Sequence, residues 1–351
     1  MKRDFLSSIS DLIGLLALLT LSVGVIGFAI FLFESGVHFS DEVVPIDSVK
    51  VEDKSILALN PLADAGSMWQ APDWSTVDAE ANAAEIKYGK ELIANTAEFF
   101  GPEGTVKVMS NGMNCQNCHL KAGTAPLGNN YSAVFSTYPK MRARSGTVED
   151  IQKRINDCFQ RSLNGQPLVP ESREMKAMAA YINWLGKDVE KGKAPAGGGI
   201  YELPLLDRAA DPAKGKIVYQ NHCQKCHSDD GQGEPIPDES GKKYPPLWGK
   251  QSYTNAAGLF RLSRFAGFVK ANMPFGTTFE KPVLTDEEAW DVAAYVNSLE
   301  RPEKYFAQDW PDISKKPIDH PFGPFADEFD ESQHKLGPFK PIQAARAEPK
   351  K

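Results

Sequence analysis

Two five-residue segments, Cys115-Gln116-Asn117-Cys118-His119 and Cys223-Gln224-Lys225-Cys226-His227, constrain this 351-residue chain more than any other feature. Each sets two thiols three residues apart on one turn, with an imidazole beside the second. That is the spacing needed to hold a porphyrin by two thioether bonds and its iron by one nitrogen. The pair predicts two covalently bound haem c groups, attached at Cys115, Cys118, Cys223 and Cys226, with His119 and His227 as iron ligands. Zinc-binding CxxC pairs typically lie ~15–20 residues apart; these begin 108 residues apart. A redox dithiol on a βαβ unit is equally out of place, because runs of alternating β-branched residues are nearly absent and the class is all-α.

The chain around the motifs repeats. The segment 179–185 aligns with 293–299 at five of seven positions, and the first cysteine of each motif precedes the Ala-Ala pair by 64 and 70 residues. Each unit reads as helix, CxxCH, irregular middle, helix. In the first unit a helix is expected from about Ser75 to Phe99. Another is expected over 172–187, where Met175, Met178, Ala179, Ile182 and Leu185 share one face. In the second unit Asp211-Pro212 is an N-cap and N1 pair, and Thr285-x-x-Glu288 is a capping box opening a helix to about Leu299. Two cytochrome c-type domains in tandem follow, at 75–191 and 205–305, joined by a Gly/Pro/Lys/Ala-rich linker at 192–204 with the composition of a flexible tether. The Pro-, Phe- and Lys-rich stretch 306–351 reads as an extended tail that wraps the surface or is partly disordered. A covalently held apolar disc supplies much of the core that domains of about 100 residues otherwise lack.

Residues 1–34 form an N-terminal membrane anchor in this reading. Leu12 to Phe33 is 22 residues without a charged side chain, long enough to span a bilayer as a transmembrane helix. Lys2 and Arg3 precede it and acidic residues follow, so the bias puts the N-terminus in the cytoplasm and the rest outside, in the periplasm of a Gram-negative host. The lack of an A-x-A site favours an uncleaved anchor in the inner membrane. Residues 35–74 are an acidic, proline-containing tether. The net charge of −7 leaves no basic field to hold nucleic acid.

Each iron needs a second axial ligand. His119 is the only histidine between His38 and His222, so the first domain must draw on Cys158 or on Met109, Met113, Met141, Met175 or Met178. A lone exported cysteine is unusual, being free to oxidise or cross-link; either a metal protects Cys158 as thiolate or it is a buried structural thiol. In the second domain Met273 is the only methionine after Met178, with His222, His320 and His334 as alternatives. An anionic thiolate lowers a haem potential and a thioether raises it, so such ligand sets would be inequivalent and suit a two-electron reaction discharged one electron at a time.

Around the odd cysteine the chain reads Arg154-Ile155-Asn156-Asp157-Cys158-Phe159-Gln160-Arg161-Ser162-Leu163-Asn164-Gly165. With Glu174-Met175 and the Tyr181-to-Leu185 helix, this resembles the dihaem thiosulfate dehydrogenases, which share a fold with the dihaem subunits of sulfur-oxidising complexes. The resemblance spans about residues 75–300. It implies oxidation of two thiosulfates to tetrathionate, or the reverse, at a haem held by His119 and Cys158, with electrons passing to a haem held by His227 and Met273. It also implies that Arg144, Arg154 and Ser162 contact substrate, with Arg142 and Arg161 as further candidates. The composition agrees: residues 140–161 carry six basic and three acidic side chains in a chain that is acidic overall, as two mutually repelling dianions would require. Two features vary within the family. The anchor points to a membrane-bound or soluble electron-transfer partner, and Asn272 stands where some members carry a lysine able to exchange with the methionine. The competing functions are a membrane-anchored dihaem electron carrier without a substrate site, and a subunit of a larger sulfur-oxidising complex.

Overall fold

The computed structural model describes residues 68–237 and 242–347. The apolar stretch Leu12–Phe33 and most of the 35–74 tether lie outside the described residues. Among those that are described, no helix is long and apolar enough to cross a membrane.

Each unit is built on one pair of crossing helices. In the first, α1 (Ala83–Ala94) packs on α3 (Arg173–Leu185), with the short α2 (Ile151–Asp157) between them in sequence. In the second, α4 (Pro212–His222) packs on α6 (Asp286–Ser298), and α5 (Leu262–Asn272) lies against α6. The caps read from sequence are present: Asp211 accepts from the amides of Ala213 and Lys214, and Thr285 and Glu288 close a reciprocal capping box. The helix expected over 75–99 is instead three pieces, a 3-10 turn at Trp74–Ala79, then α1, then Thr96–Phe100. Asn82 and Asn95 leave helical geometry at the breaks, and short polar side chains of this kind favour non-helical backbone.

The repeat extends to the contact itself. A Cβ on Gly89 would stand 2.0 Å from the Ala177 carbonyl oxygen and 2.9 Å from Tyr181 Cβ. One on Gly215 would stand 1.9 Å from the Asp291 oxygen and 2.9 Å from Tyr295 Cβ. Both crossings are backbone against backbone, which only glycine permits. The side chains then diverge. Asp291 is buried in the second crossing, where Arg208 forks onto its two oxygens at 2.8 Å each and the Asp211 amide donates to one of them; the first crossing has Ala177 there.

The two cores are distinct. Ile86, Leu92, Phe100, Phe159, Met175 and Tyr181 centre the first; Tyr219, Phe265, Trp290 and Val296 centre the second. Apart from a two-stranded ribbon, Lys140–Arg142 (β1) paired antiparallel with Thr147–Glu149 (β2), and three isolated bridges, the described residues are helix, turn and loop.

The stretch after 191 has a linker's composition but not a linker's freedom. The Gly192 amide bonds to Ser136 O, and the carbonyls of Ala196, Gly197 and Gly199 accept from the amides of Trp69, Leu127 and Asn129. The residues beyond 305 fold back rather than dangle. α7 (Glu331–Leu336) and α8 (Lys340–Ala347) return to the second domain and bury Phe339 and Ile342 in its core. Asp319, 1% exposed, accepts from Arg261 and from the amide and hydroxyl of Ser263, and so caps the otherwise uncapped start of α5. Burial pushes the Asp319 carboxyl up, but Arg261 and the Ser263 donors outweigh it and hold it below the usual range.

Gly89→Ala and Gly215→Ala are each expected to lower stability by about 1–3 kcal/mol through overpacking. Gly258→Ala, whose Cβ meets nothing within 4 Å, should be neutral. Denaturation midpoints of the holoprotein check this, and an unshifted Gly89→Ala would mean that the helices do not cross so closely.

Candidate active site

The first CxxCH lies on a 3-10 turn, Cys115–Asn117, capped reciprocally by the side chains of Asn114 and Asn117. The loop that follows is strained: Lys121, Ala122, Leu127 and Asn129 all have φ between 54° and 58°, a conformation costly for non-glycine residues and common beside functional groups. It is held from outside. The Tyr181 hydroxyl donates to Ala122 O at 2.9 Å, and the 196–199 stretch holds Leu127 and Asn129. This explains why that stretch is fixed. Its carbonyls maintain the loop, and the loop puts Asn129 O within 2.5 Å of His119 Nδ1.

A carbonyl can only accept, so Nδ1 carries the proton and Nε2 keeps its lone pair for a metal. Burial, with a smaller push from Arg154, takes His119 down to about 4 despite that bond, and Tyr131 stacks on its ring at 4.5 Å. The second domain repeats the arrangement: His227 Nδ1 lies 3.1 Å from Pro245 O, and burial again lowers its pKa.

His119, Cys115 and Cys118 line one cleft with Tyr131, Ile155, Phe159, Leu163 and Ile182; it encloses about 800 Å³, its open mouth included. This apolar wall with two thiols and one available imidazole nitrogen fits a haem. The cysteines form no disulfides, and burial pushes Cys115, Cys118 and Cys223 up to about 12, unlike reactive dithiols. No group of three or more His, Cys, Asp or Glu side chains that could hold a metal ion occurs among the described residues.

Cys158 and Ser162 line the same cleft. Asp150 caps α2 through the Lys153 amide, and after Asp157 the helix widens into a π-turn, Cys158–Ser162, closed by the Leu163 amide on Cys158 O. One residue per turn is gained there, a distortion that often marks functional sites. Arg154, one turn before, also lines the cleft and puts Nη1 3.2 Å from Cys158 Sγ. The Cys158 charge raises the Arg154 pKa against its burial. Of the methionines weighed for this domain, Met178 reaches the cleft. Met109, Met113 and Met175 are buried in the first core, and Met141 is exposed on β1.

The other arginines separate. Arg161 is 7% exposed and forks onto Asp309 at 2.6 and 2.7 Å under the Phe306 ring. Arg142 lies 3.9 Å from Glu149 and lines neither the haem cleft nor the cavity beside it. Arg144 opens with Arg161 onto that second cavity, where burial, then Arg161 and Arg154, push it down to about 10. The tail residues Asp309, Trp310, Lys316 and His320 line it too. Sequence reasoning weighed His320 only as an iron ligand and missed Asp309, Trp310 and Lys316, because nothing local distinguishes them within a Pro/Phe/Lys-rich stretch.

In the second domain Met273 ends α5 and packs on the core with Cys223, Leu247 and Trp248. Two of its three histidine competitors are engaged elsewhere: His334 with Ile318 O and Asp327, His320 with the Trp310 indole and Phe322 O. The amide of Asn272 donates to Leu127 O across the domain boundary at 3.2 Å, so this asparagine ties the Met273 turn to the His119 loop. Cys118 packs against both cores, which puts the first attachment turn at the boundary.

Tandem units of this kind, each presenting two thiols and an oriented imidazole, define a dihaem c-type cytochrome. The cytochrome c family profile matches residues 212–300, and the SoxA/TsdA cytochrome c domain profile matches 105–190. The thiosulfate dehydrogenase of Stutzerimonas stutzeri (strain A1501) is 36% identical over 260 residues, 73% of this chain and 80% of that protein. The thiosulfate dehydrogenase of Allochromatium vinosum is 39% identical over 222 residues, 62% of this chain and 78% of that protein. A solved structure, thiosulfate dehydrogenase (TsdBA) from Marichromatium purpuratum in its "as isolated" form, superposes with a TM-score of 0.61 at 30% identity. It covers 68% of this chain, which in turn spans half of that one. The chain belongs to the thiosulfate dehydrogenase family.

Proposed function

We propose that this chain joins two thiosulfate dianions into one tetrathionate dianion, releasing two electrons as a sulfur–sulfur bond forms between the sulfane atoms, and that it runs the reverse when electrons are supplied. The observation that carries this reading is the Arg154–Cys158 contact in the cleft that also holds His119. A carrier needs neither a thiolate nor a guanidinium beside it, so the electron-carrier alternative is not favoured. Two haem c groups, when bound, supply one-electron storage in each domain; His119 with Cys158 would hold the first iron and His227 with Met273 the second, pairs that would bias electrons towards the second domain.

The protein's own part is electrostatic and positional. Arg154 sets its guanidinium 3.2 Å from Cys158 Sγ, the sulfur that would ligate the first iron at rest once haem is bound and would engage the sulfane sulfur of a substrate. Ser162, one π-turn further on, offers a hydroxyl to the sulfonate oxygens, and Arg144 offsets the charge of two dianions that would otherwise repel at close range. Arg161 is a positioning residue here, since its guanidinium is already bound to Asp309. Arg142 supports the ribbon beside Glu149.

Purified holoprotein given thiosulfate and ferricyanide should form tetrathionate, and Cys158→Gly at matched haem content should lose more than about 100-fold of that rate. No turnover in either direction, or an unaffected variant, would leave an electron carrier. Ligation by Met273 predicts a methionine-to-iron charge-transfer band in the ferric spectrum that Met273→Ala abolishes while the haem stays attached; survival of the band would assign the ligand elsewhere.

The Leu12–Phe33 segment is proposed as an inner-membrane anchor holding the catalytic domains in the periplasm, near a membrane-bound or soluble electron partner. Full-length protein should then fractionate with membranes and leave them with detergent rather than salt; release by salt alone would refute the anchor.

A further inference from the structure

Beside the haem cleft lies a second cavity of about 1610 Å³, its open mouth included, walled by both cytochrome domains and roofed by the tail. The Cys158–Ser162 turn separates the two spaces, with Ser162 on one side and Arg161 on the other. Five cations line the cavity: Arg144, Arg161, Arg261, Lys304 and Lys316. Against them stand Glu303 and Asp309 in the lining, Asp319 bound to Arg261, and Asp157 3.9 Å from Arg161 Nε. Five cations against four carboxylates leave a surplus of +1.

That surplus rests on three side chains without a carboxylate of their own. Arg144 lies 5.8 Å from the Trp310 ring and feels Asp309 through space without a salt bridge among the described residues. Lys304 donates to Gly165 O at 3.1 Å. Lys316 is 5% exposed and donates to Phe322 O and Pro324 O, so its ammonium is hydrogen-bonded but not neutralised. In addition, Arg161 Nε is buried and makes no hydrogen bond, its nearest carboxylate oxygen being Asp157 Oδ1 at 3.9 Å. A desolvated cation without a counter-charge is costly, and burial lowers the pKa of both lysines accordingly. A mobile dianion entering this cavity would relieve that cost.

We propose that the tail-roofed cavity is a second anion site, which holds one sulfur oxoanion of charge −2 beside the cleft while another occupies it. The identity of the anion rests on the thiosulfate reading; the existence of the site rests on the charges above. A reaction that combines two like-charged molecules gains from a place where the second is held and partly neutralised before the bond forms.

The test is calorimetric titration of ferric holoprotein, which has no electrons to reduce it, with tetrathionate at low ionic strength. Two equivalents per chain are expected. Lys304→Gln, at the half-buried rim, should weaken one of them about tenfold, the worth of one charge-assisted hydrogen bond. The same variant should raise the KM for thiosulfate more than it lowers kcat. Lys316→Gln should act in the same direction, with haem spectra and denaturation midpoint reporting whether the tail stays docked. A single equivalent in the parent, as when a haem propionate fills the cavity, or a Lys304→Gln variant with unchanged stoichiometry and KM, overturns the proposal. Two equivalents in a protein with no thiosulfate turnover would instead keep the site and remove the proposed reaction.

Discussion

Both cytochrome units hang on a backbone-to-backbone helix crossing, at Gly89 on Ala177 in the first and at Gly215 on Asp291 in the second. Drawing two helices together without side chains between them leaves the remaining faces to enclose a flat prosthetic group. A domain of about 100 residues cannot otherwise cover such a disc and still bury a core. The loops can then be long and irregular, because the crossing and the disc do the organising. The loop after His119 takes this furthest, tolerating four left-handed residues because Tyr181 on α3 and the carbonyls of 196–199 hold it.

The second organising force is electrostatic. The Arg154–Cys158 contact sits on a π-turn whose far end is clamped three ways. Thr254 donates to Arg161 O, the Asn111 side chain bridges to Ser252 O, and Asp309 takes the Arg161 guanidinium. The reacting face of the first domain is therefore positioned by the second domain and the tail. Arg161 illustrates how a functional motif distributes its work: of the arginines in one short segment, Arg154 reaches the cysteine, Arg144 opens on the neighbouring cavity, and Arg161 fastens the turn.

Much of this was legible in the chain. The CxxCH turns, the Ala-Ala-Tyr repeat, the Asp211 and Thr285 caps, and the Cys158 segment are local patterns, and local patterns survive translation into structure because neighbouring residues fix them. The single helix read over 75–99 was wrong because hydrophobic period does not register two asparagines that leave helical geometry. The flexible linker was wrong for a different reason. Its glycines and proline leave backbone groups free to bond, and here those groups bond to a distant loop. The tail, read as an extended stretch that wraps the surface or is partly disordered, does fold back on the protein, but with two short helices and a carboxylate that caps α5 some 56 residues away in sequence.

By itself, then, the sequence determined what is covalent or short-range: two haem attachment sites, a tandem all-α architecture, an apolar N-terminal stretch, and a cysteine among arginines. Only the tertiary structure decided which arginine meets that cysteine, which histidines are already engaged, and where surplus positive charge collects. The physical reason is that charge and hydrogen bonding act through space. Asp309 neutralises Arg161 across 148 positions, and Asn272 reaches Leu127 across 145. No local window contains either pair.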